Sequence, residues 1–274
     1  MYGDGLSEIH TGAVLRELDK TEMIIGTKVR IAGDEFKDIS STIENQIDNS
    51  LKRLGIDTID IVYTHNTIGA ERNVSSGTLS VEDLSSIVQV FESAVASGKL
   101  QYWGFNGLGQ TDSVKEALRR YSPSGIHTCY NMLNPTSGYG LPKTFPYQNY
   151  EELMTLASED GIGTVGIRIL AGGALSGSLD RHPIAQQNVA PIATSSTFRE
   201  DVSRTPVFEV LVKEGFVNNL VEASVRFAIS NDNLDTALIG LSNFDQLKQA
   251  VDYANKGSLP QEALDKIKEI WAVS

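Results

Sequence analysis

Cysteine is almost absent from this chain, which has one, Cys129, among 274 residues. A single thiol cannot form a disulfide within the chain, so packing and hydrogen bonds must hold the fold together. Cys129 lies in a short apolar segment. That setting favours a buried, inert thiol over a nucleophile, although the sequence alone leaves both open.

The chain also lacks any run of about 18 apolar residues, the length that a membrane-spanning helix needs, and it shows no secretory signal. We therefore expect no membrane partner and a cytoplasmic location. The four histidines are scattered and the cysteine is alone, so no metal-ligand spacing is present. No metal site is predicted.

Basic residues are outnumbered: 23 Lys and Arg face 35 Asp and Glu, for a formal net charge of −12. Nucleic-acid binding needs clustered cations to neutralise phosphates, and no basic block occurs, so no nucleic-acid partner is expected. Hydrophobic residues make up 41% of the chain, which predicts a globular core rather than disorder.

Short apolar segments alternate with helical segments along the whole chain. The clearest helix covers 39–54, where Ile43, Ile47 and Leu54 recur at helical spacing before Gly55. Strand–helix alternation of this kind predicts a parallel sheet covered on both faces. The predicted strands are 23–29, 58–63, 100–104, 126–130, 163–169 and 236–239. The predicted helices are 7–18, 39–54, 80–97, 111–120, 150–159, 220–230, 245–254 and 261–271, with long loops at 66–78, 134–148 and 171–206.

Polar residues recur at the carboxyl ends of these strands, namely Lys28, His65, Asn106, Asn131 and Arg168. An open doubly wound sheet and a closed barrel both fit the alternation. The strand-end residues favour the barrel, because in a TIM barrel these ends converge on one active-site face. About six units are present where a barrel has eight. We therefore expect one α/β domain over 1–274, a TIM-type (β/α)8 barrel with its first one to two βα units missing at the N-terminus.

Several short motifs follow one another in a specific order. They are YGDGLSE at 2–8, TKV at 27–29, SLKRLGIDTID at 50–60, His65, GK at 98–99, YNMLN at 130–134, LAGGALSG at 170–177 and IGLSN at 239–243. Each is weak alone, but together they cover the whole chain. The ordered set resembles the aldo-keto reductase family, whose members fold as (β/α)8 barrels and reduce carbonyls with NADPH.

The resemblance implies three catalytic residues: Tyr2, Lys28 and His65. Tyr2 would be the general acid, and a cation such as Lys28 beside a phenol makes its proton easier to release. His65 would orient the carbonyl and donate a hydrogen bond to its oxygen. The family's catalytic aspartate precedes the tyrosine, where this sequence offers only Met1.

The resemblance also implies an NADP site, with NAD possible. At the nicotinamide, Asn106 stands where the family has a Ser-Asn pair, His127 where it has glutamine, and Ile167 where an aromatic ring stacks. A glycine-rich turn would approach the pyrophosphate through its backbone, and a helix N-terminus would hold the adenosine phosphate. The turn residues are Leu170, Gly172, Leu175 and Gly177; the helix-start residues are Gly240, Ser242, Asn243 and Gln246, which include no cation for a 2′-phosphate.

These implications lead to two hypotheses about function. The first is an NAD(P)(H)-dependent oxidoreductase that interconverts an aldehyde, ketone or sugar carbonyl and an alcohol, with tyrosine as proton donor. The alternative is a truncated or diverged member without ordinary reductase activity, which binds a nucleotide or a partner or carries out different chemistry. Missing strands would expose two sheet edges, so we also expect a homo-oligomer.

Overall fold

A computed structural model describes residues 2–18, 23–142 and 144–272, and of Tyr2 it describes the backbone alone. The chain divides into two compact units. The first runs up to His127 and includes Asp160–Ile162, and the second comprises Thr128–Glu159 and the chain from Gly163 onward.

Strands and helices alternate in both units. The first unit has a 3₁₀ turn (Tyr2–Gly5), α1 (Leu6–Glu17), β1 (Gly26–Val29), α2 (Ile39–Leu54), β2 (Ile59–Thr64), β3 (Ile68–Gly69), β4 (Leu79–Ser80), α3 (Asp83–Ala96), β5 (Leu100–Asn106), α4 (Thr111–Tyr121) and the start of β6 (Gly125–Cys129). The second unit contains α5 (Leu153–Glu159), β7 (Gly163–Ile167), α6 (Phe198–Ser203), α7 (Val210–Lys213), α8 (Leu220–Ala228), β8 (Thr236–Ala237), α9 (Phe244–Ala254) and α10 (Gln261–Ala272).

The main sheet of the first unit is parallel, in the order β1-β2-β5-β6. One of its faces packs against α3, where the Phe91 ring lies 5.9 Å from that of Trp103, which in turn lies 5.5 Å from Phe105. In the second unit β7 and β8 also pair in parallel. Parallel strands alternating with helices confirm the predicted α/β class.

Helix α2 shows how the sequence determines an element. Asp38 caps it by accepting a hydrogen bond of 3.1 Å from the Ser41 N–H. Ile43 and Ile47 are buried on one face. Gly55 then ends the helix in the left-handed conformation, with φ of 68°. The predicted bounds 39–54 are confirmed.

Aromatic side chains dominate the core of the second unit. Tyr130 and Phe227 are buried and stack with ring centroids 4.9 Å apart. Trp271 of α10 packs edge-on to Phe227 and donates a hydrogen bond of 2.8 Å to the Met132 carbonyl. Cys129 is fully buried, and this burial raises the pKa of its thiol to about 12, which supports the expectation of an inert residue.

Two predicted loops contain regular structure, so those predictions were wrong in part. The 66–78 loop includes β3, which pairs in parallel with β4. The 171–206 loop includes a 3₁₀ turn (Ala171–Ser176) and α6. The start of α6 is fixed by a capping box between Thr197 and Glu200, with bonds of 3.0 and 3.2 Å. A helix of six residues is too short to show the periodic pattern on which a sequence prediction relies.

Among residues 2–18, 23–142 and 144–272, no helix has both the length and the apolar character needed to cross a membrane. Over the same residues, no cluster of three or more His, Cys, Asp or Glu side chains is arranged to hold a metal ion.

Candidate active site

Two of the predicted catalytic residues lie at adjacent strand ends. Lys28 is paired in register with Tyr63, one residue before the end of β1. His65 follows β2 directly, and its backbone N–H donates a hydrogen bond of 2.7 Å to the Val29 carbonyl. Since β1 and β2 are parallel neighbours, the fold brings Lys28 and His65 to the same edge of the sheet.

The imidazoles at this edge are neutral at physiological pH. Burial, followed by the positive charges of Lys28 and Arg30, lowers the pKa of His65 to about 4. Burial, with smaller effects from Lys28 and His65, lowers the pKa of His127 to about 3. Burial also lowers the pKa of Lys28. A neutral imidazole has one N–H donor and one acceptor, so each ring can orient a polar group.

His127 is held against Tyr63 on the same face of the sheet. The two rings stack with centroids 3.9 Å apart and an angle of 26° between their planes. Gly104 makes room for this arrangement, because a Cβ there would lie 2.5 Å from the Tyr63 ring. His127 is only 4% exposed. The stack fixes the ring plane of the residue that replaces the family's glutamine.

Asn106 ends β5 and is paired in register with His127. Its backbone N–H donates a hydrogen bond of 3.2 Å to Thr64 Oγ1, and its side-chain Nδ2 donates a hydrogen bond of 3.2 Å to the His65 carbonyl. Within the described chain, its buried Oδ1 has no hydrogen-bond partner. A buried acceptor without a donor is costly, and the amide group of a nicotinamide is a donor of the type that would satisfy it.

The segment after Tyr2 is anchored through Glu8 of α1. Glu8 accepts a hydrogen bond of 2.5 Å from Thr27, the neighbour of Lys28, and forms an ion pair of 2.6 Å with Arg53 of α2. Gly12 of α1 also lies so close to α2 that a Cβ there would be 2.8 Å from the Arg53 carbonyl. These contacts tie α1 to the strand that bears Lys28. The side chain of Tyr2 itself lies outside the described atoms.

In the second unit, the predicted pyrophosphate-binding stretch forms a tight turn. Leu170 accepts backbone hydrogen bonds from Gly173 at 2.8 Å and Leu175 at 3.2 Å. Gly172 and Gly177 have φ of 69° and 75°, a region that glycine enters without strain. The turn follows Ile167, the half-buried last residue of β7, which presents an aliphatic side chain where the family has an aromatic ring.

Two arginines flank this turn. Arg181 donates a hydrogen bond of 2.8 Å to the Gly172 carbonyl. Arg168, with φ of 60°, lies so near that a Cβ at Gly172 would be 2.6 Å from its Nη1. The glycine turn therefore carries positive charge as well as backbone N–H groups, a combination that suits a phosphate.

The predicted residues at the start of α9 cap that helix. Asn243 Oδ1 accepts a hydrogen bond of 2.9 Å from the Gln246 N–H, and Gln246 Oε1 accepts one of 2.7 Å from the Ser242 N–H. Gly240 precedes them with no atom within 4 Å of an added Cβ. The side-chain oxygens of Asn243 and Gln246 are thus occupied by capping bonds, and contact with a phosphate would fall to the remaining N–H groups.

Three residues of these arrangements were not predicted from the sequence: Glu8, Tyr63 and Arg181. Tyr63 lies two residues before His65, so strand alternation places it on the face of the sheet that also bears the neighbouring strand-end residues. That signal was available. The contacts of Glu8 and Arg181 depend on tertiary packing, and no sequence spacing indicates them.

Comparisons with known proteins identify the family and the fold of the chain. The model of the Aldo/keto reductase family matches residues 1–272. L-galactose dehydrogenase of Arabidopsis thaliana is 22% identical over 98% of this chain and 77% of its own length. L-glyceraldehyde 3-phosphate reductase of Escherichia coli K12 is 25% identical over 97% of this chain and 75% of its own length. A Schizosaccharomyces pombe protein described as a voltage-gated potassium channel subunit beta is 24% identical over 98% of this chain and 78% of its own length.

Among solved structures, the aldo-keto reductase AKR11C1 from Bacillus halodurans in its holo form superposes with a TM-score of 0.69 at 22% identity, covering 98% of this chain and 80% of that one. The apo form of the same protein superposes with a TM-score of 0.65 at 21% identity, covering 96% of this chain and 76% of that one. These likenesses show the fold, and the predicted aldo-keto reductase barrel with about six strand–helix units is confirmed. With the family match extending over nearly every residue, the chain belongs to the Aldo/keto reductase family.

Proposed function

We propose that this chain is an NAD(P)(H)-dependent oxidoreductase that interconverts a carbonyl group and an alcohol. Family membership supports an oxidoreductase function. The observation that carries the proposal is the placement of Lys28 and His65 at adjacent strand ends, with the pKa of His65 lowered to about 4. A neutral imidazole beside a lysine provides a hydrogen-bond donor and a cation at one edge of the sheet.

In this mechanism a bound nicotinamide supplies or accepts the hydride. His65 donates its N–H to the carbonyl oxygen, stabilising the negative charge that develops there. Tyr2 delivers the proton to that oxygen, and the positive charge of Lys28 favours its release. The contacts of Glu8 with Thr27 and Arg53 hold the helix that follows Tyr2 against this edge.

The first unit offers residues that suit the carboxamide of a nicotinamide, and the second offers groups that suit the phosphates of a dinucleotide. Asn106 Oδ1 would accept from the carboxamide N–H2, beside the imidazole of His127. The turn formed by Leu170, Gly172, Leu175 and Gly177, with Arg168 and Arg181, would bind the pyrophosphate. Ile167 would pack against the nicotinamide ring without aromatic stacking. The helix start at Gly240, Ser242, Asn243 and Gln246 offers N–H groups but no cation for a 2′-phosphate. We propose NADP because of the family, with NAD also accepted because no cation there selects for the 2′-phosphate.

Two further proposals concern substrate and assembly. The relatives named for L-galactose and L-glyceraldehyde 3-phosphate support a polyhydroxylated carbonyl compound as substrate. We propose a homo-oligomer because Phe244, Leu247 and Val251 of α9 are 76%, 42% and 49% exposed, and contiguous apolar surface favours association. The single domain over 1–274 and the cytoplasmic location stay predictions.

The experiment is a fluorescence titration with NADPH and NADH, followed by assays with aldehydes. We expect micromolar binding of NADPH and aldehyde reduction that falls at least a hundredfold in Tyr2→Phe, which removes the donor and keeps the ring. Tight binding of either nucleotide with no turnover of any aldehyde would instead support the alternative, a member without ordinary reductase activity.

A further inference from the structure

The backbone of Arg30, just after the strand that carries Lys28, is held by hydrogen bonds with a side chain of α2. The Arg30 N–H donates a hydrogen bond of 2.9 Å to Gln46 Oε1, and Gln46 Nε2 donates one of 2.7 Å to the Arg30 carbonyl. The next residue is held in the same way: the Ile31 N–H donates a hydrogen bond of 2.9 Å to Asn66 Oδ1, and Asn66 Nδ2 donates one of 2.8 Å to the Ile31 carbonyl. Asn66 is only 2% exposed. Two amide side chains therefore fix the backbone from which the Arg30 side chain projects.

The guanidinium of Arg30 is exposed at the rim of the site. Its Nη2 lies over Gly77, where an added Cβ would be 3.4 Å away. Asn66 also donates 2.7 Å to the Gly77 carbonyl, so the surface beneath the guanidinium is fixed as well. Among the described residues, no carboxylate forms an ion pair with Arg30, and its charge is near enough to His65 to lower the pKa of that imidazole.

Two cations of the loops that follow β1 and β3 have carboxylate partners, which distinguishes Arg30 from them. The segment that follows β1 and the loop between β3 and β4 line an open cleft of about 730 Å³. In this cleft Lys37 pairs with Asp34 at 2.6 Å, and Arg72 forms a short ion pair with Asp83. The whole chain has a net charge of −12. An unneutralised arginine beside Lys28 and His65 is therefore not a by-product of a basic composition.

We propose that Arg30 is a specificity-determining residue that binds an anionic group, a carboxylate or a phosphate, on the carbonyl substrate. This inference rests on the proposed function and deepens it by naming a substrate class. Guanidinium groups present a planar fork that matches carboxylate and phosphate oxygens, and they carry their charge at every physiological pH. Binding the anion at the rim leaves the carbonyl end of the substrate to His65.

The test compares two aldehydes that differ in charge at one end, 4-carboxybenzaldehyde and its neutral ester methyl 4-formylbenzoate. The ratio of their kcat/KM values is measured for the unchanged chain and for Arg30→Gln, with Arg119→Gln as the matched control on the exposed face of α4. We expect Arg30→Gln to lower the ratio about tenfold, mainly through KM, as for the loss of one charged contact. Arg119→Gln should keep the ratio. The NADPH dissociation constant is measured alongside for all three proteins.

An unchanged ratio in Arg30→Gln overturns the inference. A loss of NADPH affinity in Arg30→Gln also overturns the inference, because it would show that Arg30 binds a phosphate of the cofactor and not an anionic group of the substrate. If neither aldehyde is turned over, the proposed function fails separately, and calorimetric binding of 4-carboxybenzaldehyde then decides. Binding that weakens about tenfold in Arg30→Gln supports the anion site; binding that is absent from the unchanged chain, or equal in the variant, overturns it.

Discussion

His65 and His127 are kept neutral by two physical effects that act in the same direction. Burial penalises the charged form of each ring, and Lys28 adds electrostatic repulsion to both. Protonation of either ring would place a further positive charge beside Lys28. The same neutrality that suits hydrogen-bond donation to a carbonyl therefore makes the fold sensitive to acid.

Stability is predicted to fall between pH 6.5 and pH 4. The pKa values of His65 and His127 in the folded chain, about 4 and about 3, lie below the ordinary value of 6.5. The unfolded chain therefore binds more protons in this window, and the free energy of unfolding rises with pH across it. His127→Gln should remove about 2 kcal/mol of the difference between pH 7.5 and pH 5, a shift of one pKa unit being worth about 1.4 kcal/mol.

Urea denaturation at the two pH values measures this effect. His10→Gln, on the exposed surface of α1, is the control and should keep the full dependence. The account of His127 is wrong if His127→Gln depends on pH as steeply as the unchanged chain does.

The positions of Lys28, His65 and Asn106 were predictable because each follows from one local pattern, a polar residue at the end of an apolar strand. The stack of Tyr63 on His127 was not. It depends on the register of β2, β5 and β6 and on the missing side chain at Gly104. Register is a property of strand pairing, and no single segment of sequence carries it.

Helix α1 is predicted to depend on one partly buried carboxylate. Glu8→Ala removes the hydrogen bond from Thr27 and the ion pair with Arg53, and it leaves the Arg53 guanidinium without that partner. We expect a loss of about 2 kcal/mol in the free energy of unfolding, as for hydrogen bonds to charged groups. Glu17→Ala, exposed at the other end of α1, should cost a few tenths of a kcal/mol at most.

Thermal or urea denaturation of the two variants distinguishes them. Equal stability of Glu8→Ala and Glu17→Ala would show that α1 is not anchored through Glu8.

Long amphipathic helices and fully buried strands were well predicted, whereas short irregular elements were not. Helices α2 and α4 span several turns, so their apolar faces repeat often enough to be read. Strand β8 is two residues long where four were predicted, because pairing with β7 ends at Ala237. The turn at Ala171–Ser176 is defined by positive φ at Gly172 and Gly173, a conformation that glycine permits but does not require.

The surface of α9 is predicted to mediate self-association. Within the described part of the chain this helix has no buried residue, and Phe244 and Leu247 are exposed on it. We expect sedimentation equilibrium to show a dimer or larger assembly, since apolar surface of this kind is stabilised by burial. The double variant Phe244→Asp, Leu247→Glu should shift the protein to monomer with its circular dichroism retained.

Gln249→Glu, which also adds negative charge to α9, is the control and should keep the assembly. A monomer at the highest concentration studied for the unchanged chain would contradict the proposed oligomer.

The most direct test of the central claim is the stoichiometry of hydride transfer. The unchanged chain, given NADPH and 4-carboxybenzaldehyde, should form one alcohol for each NADPH oxidised. Lys28→Met should bind NADPH as before and turn over at least a hundredfold more slowly, because the cation that favours proton release is gone. NADPH binding without alcohol formation by the unchanged chain, or full turnover by Lys28→Met, would contradict the account.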